Sequence, residues 1–376
     1  MIGIREGISG LDTPILILNL DVLENNMQDM ANACKEAGTN LRPHIKTHKT
    51  PSIAHMSINA GAVGIAVAKL GEAEVMEANG IRDIMVANQI IGAPKIKRLI
   101  NLTKKIKISS LVDSIEGAEE LSRIAAEEKV TLTVYLEIDI GMGRCGVKPG
   151  EPAIQMAKKL AELPNLELVG ILGFRSVWFK NLPRYGSRDI WNLGIEEGNI
   201  LVENAEKIRM AGIPISNVVA GSTPTAKAAS TVRGITEVQP GTYVFNDIMT
   251  ASIGGCGIKD CAASVMVTVI SRPSLTRAII DAGTKTLVGD YSSRDFPSLV
   301  EGYGLIKSKE GVILNGLSEE HGELLLDPDC DIKVGDKLEI IPNHICPVVN
   351  MFDEIIGVRD GYIETVWPIL ARGKVR

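Results

Sequence analysis

Residues 107–138 read Lys-Ile-Ser-Ser-Leu-Val-Asp-Ser-Ile-Glu-Gly-Ala-Glu-Glu-Leu-Ser-Arg-Ile-Ala-Ala-Glu-Glu-Lys-Val-Thr-Leu-Thr-Val-Tyr-Leu-Glu-Ile. Two short apolar, β-branched runs, Lys107–Val112 and Leu132–Ile138, flank a helix-length segment, Ile115–Glu127, with Ser114 suited to its N-cap. Strand, helix and strand in that order make a βαβ unit, whose two strands must run parallel.

The same alternation extends outward over residues 14–240. The other strand candidates are Leu41–Ile45, Val63–Val67, Asp83–Ala87, Glu167–Gly173, Asn217–Ala220 and Ile235–Gln239. Helical patterns lie between, over Asp21–Ala37, Leu70–Asn79, Pro152–Ala161 and Ile195–Met210, with Asp21 suited to an N-cap and Gly80 and Gly212 to C-terminal stops. Eight strands with intervening helices predict an α/β fold of the (β/α)8 TIM-barrel type. Near residue 256 the pattern becomes mainly β, with strand candidates Ser264–Ile270, Arg277–Asp281, Glu323–Leu326, Lys337–Ile341 and Glu354–Arg359. We expect a barrel over 14–250 and a β domain over 251–376 that also includes residues 1–13.

Composition excludes several function classes. Of 376 residues 45% are hydrophobic and 23% charged, as in an ordinary globular protein. The net charge of −6, with no long basic run, argues against nucleic-acid and anionic-membrane partners. No apolar run approaches membrane-spanning length, and the opening Met-Ile-Gly-Ile-Arg-Glu-Gly lacks the pattern of a secretory signal. Six scattered cysteines form neither a small-domain disulfide framework nor a paired CxxC site, so a reducing, cytoplasmic compartment is expected.

Four constellations carry chemistry. In Arg42-Pro-His-Ile-Lys-Thr-His-Lys49, Lys46 follows the first barrel strand beside His44 and His48, where an amine of lowered pKa can attack an aldehyde. The alternative is a basic, solvated loop. Gly221-Ser-Thr-Pro-Thr225 and Gly241-Thr-Tyr243 follow the seventh and eighth strands, where barrels seat a phosphate on backbone N–H groups and hydroxyls. Asp139-Ile-Gly-Met-Gly-Arg144 ends the fifth strand and offers Arg144 as a donor at the barrel mouth, or as the partner of Asp139 in a structural ion pair. Gln239 ends the eighth strand, either facing a ligand or packed as a polar core residue. Finally, His344 and Cys346, in Pro342-Asn-His-Ile-Cys-Pro347, share one face if the strand continues through them, and imidazole plus thiolate suits zinc. A packed histidine beside a buried cysteine is the alternative.

Together these motifs, with Thr236–Asp247 and Ser318–Gly322, resemble the D-threonine aldolase and D-serine dehydratase family, of the alanine-racemase-like, type III pyridoxal-phosphate fold, over nearly the whole chain. The resemblance implies that Lys46, rather than Lys49, holds pyridoxal 5'-phosphate covalently, with His44 adjoining it. Arg144 is implied near the cofactor's phenolic oxygen or the substrate carboxylate, Gly221, Ser222, Thr223, Gly241 and Tyr243 around its phosphate, and Gln239 near its pyridine nitrogen. His344 and Cys346 are implied as ligands of a divalent metal, zinc first, with manganese or magnesium the alternatives. The family's aldolase branch reads His-x-Asp at this position and its dehydratase branch His-x-Cys. One departure stands out. Relatives carry a histidine after the sixth strand, where this chain reads Phe174-Arg175-Ser-Val-Trp178, and Arg175 is the candidate for that substrate contact.

The activity so implied is a lyase acting on 3-hydroxy-D-amino acids. Dehydration of D-serine or 3-hydroxy-D-aspartate leads, and retro-aldol cleavage to glycine and an aldehyde is the alternative. A racemase needs a second base, which the sequence does not reveal. A non-catalytic pyridoxal-phosphate carrier leaves the His344/Cys346 pair without purpose. The resemblance further implies a homodimer.

Overall fold

The quoted stretch folds as read: Lys107–Val112 and Leu132–Glu137 are neighbouring parallel strands around helix Ile115–Glu127. The computed structural model describes residues 7–175, 190–292, 300–307 and 309–376. In chain order the first nine strands are β1 (Ile15–Asn19), β2 (Asn40–Leu41), β3 (Ile65–Val67), β4 (Asp83–Gln89), β5 (Lys107–Val112), β6 (Leu132–Glu137), β7 (Leu166–Leu172), β8 (Asn217–Ala220) and β9 (Glu237–Val238).

Strands β2 to β9 form an eight-stranded parallel sheet in the order β2-β9-β8-β7-β6-β5-β4-β3. The two ends of that order meet, because Val63 N–H donates to Leu41 O at 2.9 Å and Ala66 N–H to Pro43 O at 2.8 Å. A sheet curled back on itself has one side facing inward, and one residue from each of β3 to β8 meets there: Ala66, Met85, Leu111, Tyr135, Leu172 and Val219. Burying a methionine, leucine or valine side chain stabilises by about 1.5–3 kcal/mol, so inward alternation selects the register.

The remaining strands are β10 (Ala263–Ser274), β11 (Arg277–Ile280), β12 (Gly304–Ile306), β13 (Ile313–Leu317), β14 (Gly322–Leu325), β15 (Lys337–Pro342), β16 (Glu354–Arg359) and β17 (Tyr362–Pro368). With β1 they build a second, mainly antiparallel sheet, ordered β11-β14-β13-β12-β15-β10-β1-β16-β17. Its core includes Ile17, Met266, Ile356 and Val358. The chain thus forms two compact units. The barrel unit comprises residues 28–46, 51–241 and 373–376, and the antiparallel unit 1–27, 47–50 and 242–372.

Several boundaries differ from the sequence reading for local reasons. The first barrel ladder stops at Leu41 rather than Ile45, since Pro43 has no N–H to donate and the chain tightens into a 3-10 turn over Ile45–Thr47. Strand β1 was not among the candidates. Its run Ile15–Leu18 lies in the range read as barrel, yet it pairs with β10 and β16, and residues 14–27 and 242–250 cluster with the antiparallel unit. Helix Leu20–Ala37 begins before Asp21, and Asn19 Oδ1 accepts the Val22 N–H at 3.0 Å in the capping role. Gly80 and Gly212 adopt left-handed φ of 92° and 85° just beyond their helices, as C-terminal stops do. Among the described residues no helix is long and apolar enough to cross a membrane.

Candidate active site

Ligands of a β/α barrel enter at the C-terminal ends of its strands, because the βα loops there are free to vary while the strands hold their ends still. Lys46 sits there in the 3-10 turn after β2, half-buried. Its backbone N–H donates to His44 Nδ1 at 3.2 Å, which makes that nitrogen the unprotonated one of the ring. The Lys46 ammonium lies 5.5 Å from the centroid of the Phe174 ring, and the Arg144 guanidinium 5.2 Å from the same centroid. One aromatic ring thus gathers two cations from opposite parts of the barrel sequence, each within cation–π range. His48 contributes no charge, for burial pushes its imidazole down to about 3.

Arg144 is exposed and makes no ion pair with Asp139. Asp139 instead takes Lys148 at 2.6 Å and the N–H groups of Gly141 and Gly143 at 3.1 and 2.9 Å. Burial works against that carboxylate, but Lys148 and the two amides outweigh it and hold it below the ordinary range. The structural alternative for Asp139 is therefore met by another cation, leaving Arg144 at Phe174. Arg175 is 4% exposed, donating to Leu193 O at 2.9 Å and to Glu196 at 3.1 Å. Both partners belong to helix Ile190–Met210. Residues 176–178 of the segment around it lie outside the described residues.

At the turn after β8, Gly221 has φ +95°, a conformation reserved in practice for glycine. Its N–H donates to Glu197 at 2.9 Å, and the Ser222 N–H donates to Thr225 Oγ1 at 3.1 Å. Those two amides are thus committed within the barrel unit, and an anion seat here has to be built from other donors. Thr223 is half-buried at the crest of the turn. Glu197 is wholly buried, and burial pushes its carboxyl up to about 7 against the pull of the Gly221 N–H. Gln239 follows β9, 9% exposed, with its side chain on Glu237 and Met85. Gly241 closes the barrel unit, half-buried, and Tyr243 is buried in the 3-10 turn Thr242–Val244 of the antiparallel unit.

The antiparallel unit holds the second constellation. Strand β15 ends at Pro342, so His344 and Cys346 do not share the face of a strand as expected. His344 instead precedes the short helix Ile345–Val349, and Cys346 lies in its first turn. The pair is brought together all the same. Burial opposes charge on both groups, but Cys346 and Asp247 outweigh it at His344, whose imidazole is pushed up to about 10. His344 in turn draws the Cys346 thiol below its ordinary value despite burial. Asp247 Oδ2 faces His344 Nδ1 at 2.8 Å, Thr47 Oγ1 lies 3.2 Å from Cys346 Sγ, and the Tyr291 ring packs 4.7 Å from the imidazole. An imidazole nitrogen and a thiol sulfur brought together, with Nδ1 engaged from behind, fit a divalent cation of borderline softness. Among the described residues the one cluster of three potential ligands is Asp113, Glu137 and Cys145, in the barrel unit; His344 and Cys346 have no third protein ligand of that kind. Asp247, Thr47, Phe174 and Glu197 are the residues the sequence reading did not single out. Only Asp247 carried a local signal, as an N-cap three residues before Thr250.

A model of the alanine racemase N-terminal domain matches residues 18–248, more than half of the chain. The chain belongs to that family. A putative serine dehydratase domain follows over residues 262–358. The 3-hydroxy-D-aspartate aldolase of Paracoccus denitrificans (strain Pd 1222) is 31% identical, the alignment covering 97% of this chain and 93% of that one. The solved D-threonine aldolase of Filomicrobium marinum superposes with a TM-score of 0.89 at 31% identity, over 100% of this chain and 99% of its own. The D-threo-3-hydroxyaspartate dehydratase of Delftia sp. HT23 gives 0.88 at 30%, over 97% and 99%, and a cysteine-to-alanine variant of a dehydratase of that name is known in a metal-free form. This family member is thus an enzyme with an alanine-racemase-like barrel and a C-terminal antiparallel domain. Pyridoxal phosphate is the cofactor expected of its fold. Aldolases and dehydratases stand at near-equal identity to it, so sequence distance does not choose between their reactions.

Proposed function

We propose that this enzyme is a pyridoxal-phosphate- and divalent-metal-dependent lyase of 3-hydroxy-D-amino acids that removes water from substrates such as D-serine or 3-hydroxy-D-aspartate. The observation that carries the choice of reaction is the His344–Cys346 pair, in which sulfur stands where the aldolase branch has a carboxylate. When bound, the coenzyme supplies an electron sink for charge at Cα and the metal a Lewis acid for the 3-hydroxyl. Lys46 holds the coenzyme and moves the Cα proton, a role supported by a half-buried amine at the end of a barrel strand. Arg144, anchored on Phe174, supplies fixed positive charge for a phenolic oxygen or a carboxylate. His344 and Cys346 hold the metal, zinc by the preference of a nitrogen–sulfur donor set. Two protein ligands leave positions for water and the substrate hydroxyl.

Purified enzyme incubated with D-serine, D-threonine and D-3-hydroxyaspartate is expected to release ammonia and a 2-oxo acid, and to lose that activity on chelation. Glycine with no ammonia would replace this reading by retro-aldol cleavage, which the aldolases among its relatives favour. We also propose a homodimer, which sedimentation of the holoenzyme tests.

A further inference from the structure

At the end of β9, Glu237 and Gln239 are two apart and their side chains meet, while Arg42 follows the neighbouring strand β2. Arg42 Nε donates to Glu237 Oε1 at 2.9 Å and Arg42 Nη1 to Asp83 at 2.6 Å. Burial works against the guanidinium charge, and the two carboxylates outweigh it. Room for this buried pair is built in, since a Cβ at Gly64 would lie 2.5 Å from Arg42 Nη1. Gln239 Nε2 then donates to the same Glu237 Oε1 at 3.0 Å and meets Met85 Sδ at 2.9 Å. Met85 belongs to the inward cluster of the barrel, so Gln239 stands above that cluster at the end where ligands enter.

An amide can be turned either way, and its two ends ask for opposite partners. Here the choice is not open. A carboxylate paired with a guanidinium only accepts, so turning the amide over would set two acceptor oxygens about 3 Å apart in a buried site, at the cost of a lost charge-assisted hydrogen bond. Both N–H bonds of Gln239 are thereby engaged below, and the end left to face a ligand is the carbonyl Oε1. Among the described residues no hydrogen bond to that oxygen is formed.

We propose that the Arg42–Glu237 ion pair is a positioning element that offers the Gln239 carbonyl, not its amino group, to the ring of the bound coenzyme, so that the ring nitrogen is held in its protonated form. The inference rests on the reading of this barrel as a pyridoxal-phosphate site with Gln239 at the ring nitrogen. A carbonyl oxygen pairs only with a donor, and a pyridine nitrogen is a donor only when it carries a proton. Arg42 and Glu237 touch no ligand in this scheme; they act through Gln239.

The test uses the holoenzyme reconstituted with pyridoxal phosphate carrying nitrogen-15 in its ring. Borohydride reduction and peptide mapping first establish that the coenzyme is bound; if it does not bind, the reading of the site fails and the inference with it. With coenzyme bound, the nitrogen-15 resonance of the wild-type enzyme is expected at the position of a protonated pyridine near neutral pH. A resonance at the neutral-pyridine position overturns the inference while leaving the cofactor reading intact. Gln239→Leu, which removes the acceptor without adding charge, is expected to lower the proton affinity of the ring nitrogen by about 10- to 100-fold, the range for a hydrogen bond to a charged partner. Glu237→Gln frees the amide to turn, and the resonance is expected to move towards the neutral position. If Glu237→Gln does not fold, Gln239→Leu carries the test alone, and an unchanged titration in that variant overturns the proposal.

Discussion

Asp247 Oδ2 lies 2.8 Å from His344 Nδ1 and 3.2 Å from the backbone nitrogen of Ile345, while its other oxygen accepts from Thr250 N–H and Oγ1 at 2.8 and 2.7 Å. One wholly buried carboxylate thus caps a helix and fixes the tautomer of a candidate metal ligand, leaving Nε2 for the cation. Asp247→Asn keeps an acceptor for Thr250 but can turn an N–H towards Nδ1, which moves the ring proton to Nε2. We expect about 10- to 100-fold weaker zinc binding, measured by competition with a chromophoric chelator. Thr250→Val, which weakens only the cap, should bind zinc normally, and equal losses in both variants would dismiss the tautomer argument.

Lys46→Ala should abolish covalent capture of the coenzyme and reduce turnover by at least about 10²- to 10⁴-fold, the range for losing a positioned acid–base group. The amine stands 5.5 Å over Phe174, and no other lysine ends a barrel strand so placed among the described residues. Absorbance of the holoenzyme and steady-state assays read the two effects separately. Retained turnover in this variant would refute the role of Lys46.

Glu197 makes stability depend on pH with a definite sign. Its carboxyl is pushed up to about 7 by burial, from an ordinary 4.5. Between those values the folded chain keeps a proton that the unfolded chain gives up, so this group's contribution is complete at low pH and is lost as pH rises through the window. The slope is at most about 1.4 kcal/mol per pH unit. Glu197→Gln keeps an acceptor for the Gly221 N–H and cannot ionise. Thermal melting from about pH 5 to 7.5 should show the variant gaining on the wild type as pH increases; parallel curves would mean that Glu197 titrates normally.

Gly221→Ala combines two penalties. The backbone is at φ +95°, and the added Cβ would meet Ala226 and Val238 at 3.2–3.3 Å. Gly212 has φ +85° with nothing within 4 Å of its would-be Cβ, so Gly212→Ala measures the conformational cost alone. We expect about 1–3 kcal/mol for strained backbone at either site, with the larger loss at Gly221 by urea denaturation. Equal losses would show that the turn after β8 relaxes freely.

The barrel was legible because each of its units repeats the same local message. Lys107–Val112, Ile115–Glu127 and Asn217–Ala220 fold over the spans read for them. Errors gathered where a neighbour overrides local preference: Pro43 ends a ladder early, Asn19 takes the cap read for Asp21, and β1 finds its partners more than two hundred residues away. At the candidate site the residue types stood out as motifs, but the strand face assumed for His344 and Cys346 does not exist, because the chain turns into a helix after Pro342.

Local chemistry in the sequence was enough to show that strands and helices alternate through the barrel, and to mark Lys46, Gln239, His344 and Cys346 as groups worth watching. Apolar periodicity, caps and prolines act over a few residues and need no distant partner to be read. Only the tertiary structure decided that Phe174 gathers Lys46 and Arg144, that Asp247 stands behind His344, and that Glu237 turns the Gln239 amide. The first two relations join segments far apart in the chain, and the third depends on the distant Arg42 that holds Glu237; direction, unlike composition, is a property of the folded arrangement.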